Sequence, residues 1–256
     1  MRIVVKIGGS LAVDDAKLAD FVAAAAKLPA LGLDFALVHG GGREINRNVA
    51  LLDEKPTFIE GLRVTTPGIM KMVEMTLSGS VNKRLVRLFL ENGCPAAGIS
   101  GVDGELMSVV KRGGNYDLGL VGEVQKVNTK LVETLWAGGF VPVVSPISYG
   151  DGLSWNVNAD TAAAELASAL KADKFLLVSD VPGVLKAGEV LPELGEEEAE
   201  RLIACGVISD GMIPKVRESF RSIRKGIREI HIVGWSGREQ FEEQVKGVKN
   251  AGTILR

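Results

Sequence analysis

Short continuous runs of apolar residues alternate with helical patterns along most of the chain, and this alternation limits the fold more than any other feature. Strands that are apolar on both faces belong inside a parallel sheet, and the helices between them are the connections that parallel strands need. The pattern therefore predicts an α/β protein built from βαβ units around a parallel sheet. The predicted strands cover residues 2–7, 35–38, 96–99, 140–144, 175–178, 230–233 and 253–255.

Other segments complete this prediction. Residues 106–110 and 120–127 are predicted to pair antiparallel, because 113–115 are turn residues. A long helical pattern follows Pro67, is bent or divided near Gly79, and carries an apolar stripe that is either core or a subunit contact. Further predicted helices begin after Asp14 or Asp15, after a capping Asn128, at 196 and near 209.

Composition narrows the class of protein. A chain of 256 residues forms one large domain or two modest lobes. A net charge of −2 argues against a nucleic-acid surface, and no apolar run reaches the ~18 residues that span a bilayer. Two distant cysteines and two histidines argue against a His/Cys metal centre. Because the first residues do not follow a signal-peptide layout, a soluble cytoplasmic protein is expected.

Glycines at the ends of two predicted strands indicate ligand sites. Lys6 and the pair Gly8-Gly9 end the first strand, and consecutive glycines turn their N–H groups toward an anion such as phosphate. The alternative is a tight turn beside a solvated lysine. Residues 40–42, all glycine, follow the second strand, and ligands in such sheets lie outside the carboxyl ends of the strands. Two ligands that meet over one sheet are therefore predicted.

The remaining polar residues suit phosphoryl transfer. The chain has no GxxxxGK[ST] or GxGxxG pattern and no evident serine-histidine-acid arrangement. Lysines, asparagines, an aspartate and glycines at element ends supply the positioning and charge that phosphoryl transfer needs. Lys215, in the first turn of a predicted helix, opposes the helix dipole by roughly 0.3–1 kcal/mol, which a bound phosphate would offset. Otherwise it is an exposed lysine that tolerates the penalty.

Four other polar residues are candidates for a functional or a structural role. Arg63 either grips a carboxylate bidentately or pairs with a surface acid. Asn156 and Asn158 are two residues apart, so in an extended segment they point the same way and can bind a small polar ligand. Asn158 is equally suited to be a helix cap, and Asp160 in the first turn stabilises the helix in any case.

These motifs occur in an order and spacing that resemble the amino acid kinase family over nearly the whole chain. The closest resemblance is to members that act on N-acetyl-L-glutamate in arginine biosynthesis. One departure is Arg43, where many relatives have proline. The matching stretches are Lys6-Ile7-Gly8-Gly9-Ser10, His39-Gly40-Gly41-Gly42, Gly61-Leu62-Arg63-Val64-Thr65, Gly98-Ile99-Ser100-Gly101-Val102-Asp103-Gly104, Leu120-Val121-Gly122-Glu123-Val124, Asn156-Val157-Asn158-Ala159-Asp160, Ser179-Asp180-Val181-Pro182-Gly183-Val184 and Asp210-Gly211-Met212-Ile213-Pro214-Lys215.

The resemblance implies a role for each motif. Lys6 and Lys215 would stabilise the transferring phosphoryl group, Asp160 would hold both lysines, and Gly8 and Gly9 would offer N–H groups to the phosphates. The implied acceptor residues are Gly41, Gly42, Arg63, Asn156 and Asn158, with Arg63 on the carboxylate that does not react. The implied ATP-site residues are Asp180, Val181, Pro182, Gly183, Val184, Leu185, Val207, Ile208 and Ser209.

The resemblance also implies the fold and the reaction. The fold would be a three-layer αβα sandwich with a mainly parallel sheet, with an acceptor and dimerisation lobe at 1–173 and an ATP lobe at 174–256. ATP, carrying Mg²⁺ without a dedicated protein ligand, would phosphorylate the side-chain carboxylate of N-acetyl-L-glutamate. The alternatives are an acetylaminoadipate or carrier-bound amino acid kinase of lysine biosynthesis, and a non-catalytic nucleotide or amino-acid sensor on the same fold.

Assembly is a further expectation. Because Arg2 begins the first strand, no residues are expected for the additional N-terminal helix of arginine-inhibited relatives. A homodimer that arginine does not inhibit is therefore expected, with residues 70–88 as the contact.

Overall fold

The computed structural model describes residues 1–52, 55–209, 212–246 and 252–256. Asp210 and Gly211 of the last motif lie outside the described residues. The strands are β1 (Arg2–Ile7), β2 (Asp34–His39), β3 (Phe58–Ile59), β4 (Leu62–Arg63), β5 (Ala96–Gly101), β6 (Met107–Lys111), β7 (Gly122–Val127), β8 (Val141–Gly150), β9 (Leu153–Asn156), β10 (Lys174–Ser179), β11 (Leu185–Lys186), β12 (Glu189–Val190), β13 (Glu193–Leu194), β14 (Ile230–Gly234) and β15 (Thr253–Leu255).

The helices lie between these strands, together with three short 3-10 turns (Pro29–Leu31, Ala50–Leu52 and Asp103–Glu105) and a π-helical segment (Met75–Val81). The α-helices are α1 (Gly9–Val13), α2 (Asp15–Ala25), α3 (Gly42–Val49), α4 (Pro67–Glu74), α5 (Asn82–Glu91), α6 (Lys130–Ala137), α7 (Ala159–Ala169), α8 (Glu196–Ala204), α9 (Met212–Arg224) and α10 (Arg238–Lys246).

One large sheet runs through the molecule in the order β13-β15-β14-β10-β1-β2-β8-β6-β7, and β5 and β9 also pair with β8. The central pairs β14–β10, β10–β1, β1–β2 and β2–β8 are parallel. The pairs β14–β15, β6–β7 and β8–β9 are antiparallel. The predicted, mainly parallel sheet and the predicted hairpin of β6 and β7 are therefore confirmed.

Helices cover both faces of this sheet. On one face α2 and α5 pack through side chains such as Phe21 and Phe89, and on the other α7 and α9 pack through Leu166 and Phe220. Alternate residues of a strand point to opposite faces, so Val5 and Ile7 belong to the first core and Val4 to the second. Lys6 therefore lies on the face that α7 and α9 cover. This alternation fixes the face on which the site forms.

Several local predictions are corrected by one or a few residues. Strand β8 continues to Gly150, beyond the predicted end at 144, because it also pairs with β9. Asn128 precedes the cap position of α6, which Thr129 occupies without a side-chain bond. The long helical pattern, expected to be bent or divided near Gly79, stays helical there and forms a π-helical segment between α4 and α5. In the described part of the chain, no helix is both long and apolar enough to span a bilayer.

The apolar stripe of this long helix is core. Met70, Val73, Leu77, Val81 and Leu85 are all buried within the subunit. Met75 lies on the same helix outside the stripe, and 60% of its surface is exposed. A subunit contact on this helix would therefore use residues other than the stripe.

Candidate active site

Two lysines from distant parts of the chain converge on one carboxylate. Lys6 Nζ lies 2.7 Å from Asp160 Oδ1, and Lys215 Nζ lies 2.7 Å from Asp160 Oδ2. Lys6 is buried and Lys215 is partly exposed. The ion pairs expected from the resemblance are therefore present. The catalytic roles of these residues stay predictions.

Each member of this cluster is held by a regular element. Lys6 belongs to β1, and Lys215 lies in the first turn of α9. Asn158 caps α7 by accepting hydrogen bonds from the backbone N–H groups of Asp160 and Thr161 at 2.9 and 3.2 Å. Burial by itself would raise the pKa of Asp160, but the two ammonium groups hold that pKa well below its usual range. The carboxylate therefore stays ionised and keeps both ammonium groups in place.

The glycine turn after β1 leaves room for its charged neighbours. A Cβ atom on Gly8 would lie 2.6 Å from Lys6 Nζ. Gly9 has a φ of +59°, and a Cβ atom there would lie 2.4 Å from both carboxylate oxygens of Asp180. Position 9 thus requires glycine for space and for backbone conformation, whereas a side chain at position 8 would displace the Lys6 ammonium group. Whether their N–H groups bind phosphate stays a prediction.

A cavity of about 180 Å³ brings together all five residues expected to bind the acceptor. Apolar side chains, among them Leu77 and Val121, complete its wall. Helix α3 begins at Gly42 even though Arg43 stands where many relatives have proline. A Cβ atom on Gly41 would lie 2.7 Å from Leu77 Cδ2, so the π-helical segment packs directly against the glycine loop. The expected residues in this cavity are Gly41, Gly42, Arg63, Asn156 and Asn158.

Arg63 supplies the positive charge of this cavity. Its Nη2 donates to Asn46 Oδ1 at 2.6 Å, and its guanidinium carbon lies 4.7 Å from the ring centre of Phe58. Its Nη1 is buried and has no hydrogen-bond partner in the described part of the chain. Desolvation by burial lowers the pKa of the guanidinium. A buried cation with an unused donor suits a ligand carboxylate.

Asn156 and Asn158 make different hydrogen bonds. Asn156 Nδ2 donates to Thr65 Oγ1 at 3.0 Å, and Thr65 Oγ1 donates to the backbone oxygen of Arg63 at 3.0 Å. Asn158 is a helix cap that also lines the cavity. The structural interpretation of Asn158 is thus confirmed. Its functional interpretation stays a prediction.

A buried polar network behind the glycine loop was missed by the sequence reasoning. His39 Nδ1 lies 2.9 Å from the Gly40 oxygen, and Asn82 Nδ2 lies 3.1 Å from His39 Nε2 and 2.9 Å from the Val143 oxygen. Burial lowers the pKa of His39 to about 4, so the ring is neutral near pH 7. The only available signal was a histidine directly before three glycines.

A larger cavity, about 460 Å³, lies at the carboxyl ends of β10 and β14. Of the expected ATP-site residues, Asp180 and Pro182 line it, and Trp235 and Gly234 were not foreseen. Val184 and Ile208 instead lie in the hydrophobic core, whereas Leu185 and Val207 are exposed. Val181, Gly183 and Ser209 are not among the residues that line this cavity. In the glycine turn after β1, Gly9 packs against Asp180 of this cavity and Gly8 packs against Lys6.

Metal-ligating side chains are not grouped in the described part of the chain. Within those residues, no group of three or more His, Cys, Asp or Glu side chains is placed to hold a metal ion.

Comparison with known proteins identifies the family. Residues 1–234 match the amino acid kinase family. The chain belongs to this family. The acetylglutamate kinase of Rubrobacter xylanophilus is 45% identical over 99% of this chain and 96% of the relative. The acetylglutamate kinase of Kosmotoga olearia is 37% identical over 99% of this chain and 90% of the relative.

Solved structures of similar shape include the crystal structure of smu.665 from Streptococcus mutans UA159. It superposes with a TM-score of 0.79 at 26% identity and covers 99% of this chain and 98% of its own. The predicted αβα architecture of the amino acid kinase fold is confirmed by this likeness and by the helices on both faces of the sheet.

Proposed function

We propose that this member of the amino acid kinase family transfers the γ-phosphoryl group of ATP to the side-chain carboxylate of N-acetyl-L-glutamate, a step of arginine biosynthesis. The observation that carries the proposal is the Lys6–Asp160–Lys215 cluster, in which two lysines from distant parts of the chain contact one carboxylate. It is supported by the full-length similarity to relatives named acetylglutamate kinase.

In the proposed reaction a carboxylate oxygen of the acceptor attacks the γ-phosphorus. A bond forms between these atoms, and the bond from the γ-phosphorus to the bridging oxygen breaks, so its electron pair leaves with ADP. Because no proton is transferred, the protein needs to align the substrates and balance their charge. Lys6 and Lys215 supply that charge, and Asp160 keeps both ammonium groups from reorganising.

The acceptor would occupy the cavity of about 180 Å³. Arg63 would bind the carboxylate that does not react, because its Nη1 is buried without a partner among the described residues. Asn156 and Asn158 would bind the amide and the remaining polar groups. The loop at Gly41 and Gly42 allows close backbone approach.

ATP would lie at the carboxyl end of β10, along the cavity that Asp180 and Pro182 line, with its phosphates near Gly8 and Gly9. Residues 181, 183–185 and 207–209 would contribute mainly through their backbone, since Val184 and Ile208 are buried in the core. Mg²⁺ would enter with ATP and supply positive charge to its phosphates. The acceptor lobe would thus be 1–173 and the nucleotide lobe 174–256.

The proposal also covers the cellular location and the oligomeric state of the enzyme. We place it in the cytoplasm, where ATP is available, as a homodimer that uses the helical region 70–88. Because the apolar stripe of that region is internal, exposed residues such as Met75 would form the contact.

ADP release measured side by side with four acceptors tests the reaction. N-acetyl-L-glutamate is expected to be phosphorylated far faster than acetylaminoadipate, glutamate or aspartate, and hydroxylamine is expected to trap its acyl phosphate. Lys215→Ala prepared in the same way controls for contaminating kinases. Turnover only of acetylaminoadipate, or equal turnover of glutamate, would contradict the substrate assignment. Nucleotide binding without turnover of any acceptor would support a sensor.

A further inference from the structure

Arg112 lies at a third cavity, which opens onto the lysine cluster. This cavity has a volume of about 300 Å³, and Asp160, Lys215, Asn158 and Arg112 all line it. Arg112 follows β6 in the hairpin that β6 and β7 form. Sequence reasoning assigned no role to it.

Arg112 is half-buried as a residue, and its guanidinium has no hydrogen bond or ion pair to any described residue. Charged residues near it already form ion pairs with other residues. Lys111 Nζ lies 2.9 Å from Asp117 Oδ1, and Glu218 Oε2 lies 3.3 Å from Arg221 Nη1. Glu60 also lines the cavity and forms no ion pair with Arg112. A guanidinium that lines a cavity and has no partner among the described residues keeps its N–H donors available to an anionic ligand.

Main-chain hydrogen bonds fix the position of Arg112 relative to the acceptor cavity. The Arg112 N–H donates to the Val121 oxygen at 2.8 Å, and Val121 lines the acceptor cavity. The Asn156 N–H donates to the Leu120 oxygen at 2.9 Å. The hairpin therefore holds the backbone of Arg112 beside the acceptor residues, and Arg112 lines the same cavity as Asp160 and Lys215.

Charge balance favours a phosphoryl ligand. Lys6 and Lys215 share Asp160, so the three groups together carry one net positive charge. Even with the Mg²⁺ that ATP would carry, this positive charge is less than the negative charge of the ATP phosphates and the acceptor carboxylate, and arginine binds phosphate oxygens bidentately. We infer that Arg112 is a further substrate-contacting residue that binds the phosphoryl group as it passes from ATP to the acceptor carboxylate.

This inference rests on the proposed function. Arg112 donates N–H groups to the phosphoryl oxygens while the new oxygen–phosphorus bond forms and the bond to the bridging oxygen of ADP breaks. It gains and loses no proton in this step. Because the contact strengthens as charge shifts, it is expected to act on kcat rather than on the KM of either substrate.

Steady-state kinetics of Arg112→Ala, Arg112→Lys and the matched control Lys111→Ala test the inference. Arg112→Ala is expected to lower kcat about 10- to 100-fold, the range that a charge-assisted hydrogen bond corresponds to, with both KM values unchanged. Arg112→Lys is expected to keep part of the rate, because lysine keeps the positive charge but lacks the paired N–H groups of the guanidinium. Lys111→Ala is expected to match the unmodified protein.

A binding measurement gives a readout besides turnover. Arg112→Ala is expected to weaken the binding of ADP with aluminium fluoride and N-acetyl-L-glutamate by a similar factor, and to leave ADP binding unchanged. An unchanged kcat in Arg112→Ala, while the unmodified protein phosphorylates N-acetyl-L-glutamate, would overturn this inference and leave the proposed function intact. A change confined to the KM of the acceptor would also overturn it. An equal loss of kcat in Glu60→Gln would overturn it too, because Arg112 would then act through a contact with Glu60.

Discussion

Asn82 Nδ2 donates a hydrogen bond to His39 Nε2 at 3.1 Å, in the buried space behind the acceptor glycine loop. Since this nitrogen accepts, the proton of the neutral ring is on Nδ1, which donates to the Gly40 oxygen at 2.9 Å. A Cβ atom on Gly98 would lie 1.9 Å from Asn82 Oδ1, so glycine is needed there to admit the amide. The network ties α5, β2, β5 and β8 together at the loop.

This histidine makes the stability of the fold depend on pH. Its pKa is about 4 in the folded chain, against an ordinary value near 6.5. As pH falls below 6.5 the unfolded chain binds a proton that the folded chain does not, so the free energy of unfolding falls until about pH 4. The loss from His39 is expected to reach about 3 kcal/mol.

Urea unfolding between pH 7.5 and 4.5 measures this dependence. His39→Asn is expected to flatten the slope whatever its effect on stability at pH 7.5. His231→Asn provides a comparison, because burial also lowers the pKa of His231, against the opposing effect of Glu229. An equal slope in His39→Asn and the unmodified protein would contradict the assignment.

Lys215 is expected to matter for turnover and little for stability. Its removal relieves an unfavourable contact with the helix dipole, roughly 0.3–1 kcal/mol, and leaves Asp160 paired with Lys6. In Lys215→Ala the free energy of unfolding should change by less than about 1 kcal/mol, while kcat falls on the order of 10²-fold or more. Lys225→Ala, which breaks a surface ion pair with Glu165, is the matched control. Normal turnover in Lys215→Ala would leave that lysine with a purely structural role.

Local patterns made much of the fold predictable. The continuous apolar runs indicated buried strands, and the glycines after β1 and β2 indicated where ligands would lie, because both features act within a few residues. The contact between His39 and Asn82 joins residues 43 positions apart, and no local pattern reports it. The pairing of Lys6 with Asp160 was foreseen only from resemblance to a family. Arg112 looked like any charge at a hairpin turn, since its cavity exists only after the sheet has formed.

Arg63 is expected to determine affinity for the acceptor. Arg63→Ala should lower kcat/KM for N-acetyl-L-glutamate by a factor equivalent to roughly 1.5–3 kcal/mol, because a charge-assisted hydrogen bond to a carboxylate is lost. Arg63→Lys should recover little, since lysine cannot replace the bond to Asn46 and a bidentate contact together. Titrations of both substrates separate the effects, and a change confined to the KM of ATP would contradict the assignment.

Gly8 offers a way to displace Lys6 without removing it. In Gly8→Ala the new Cβ would lie 2.6 Å from Lys6 Nζ, so the ammonium group has to move. The expected result is a fall in kcat of about 10-fold or more with ATP binding retained. Gly79→Ala, where a Cβ meets nothing within 4 Å, should keep full turnover. Equal kcat values in the two variants would show that the position of Lys6 does not limit the reaction.

Substitutions at Asp160 distinguish the contribution of the lysine cluster to stability from its contribution to turnover. Asp160→Ala leaves the buried Lys6 without that partner, which is expected to lower the free energy of unfolding by about 3–5 kcal/mol. Adding Lys6→Met removes the stranded charge, so the double variant should regain most of that stability, because an apolar replacement of a buried ion pair is often neutral. Turnover should stay on the order of 10²-fold or more below normal in both variants, since neither holds the two ammonium groups at the phosphoryl group. Urea unfolding and ADP release on the same preparations measure both quantities. Recovery of turnover along with stability in the double variant would show that the cluster only supports the fold.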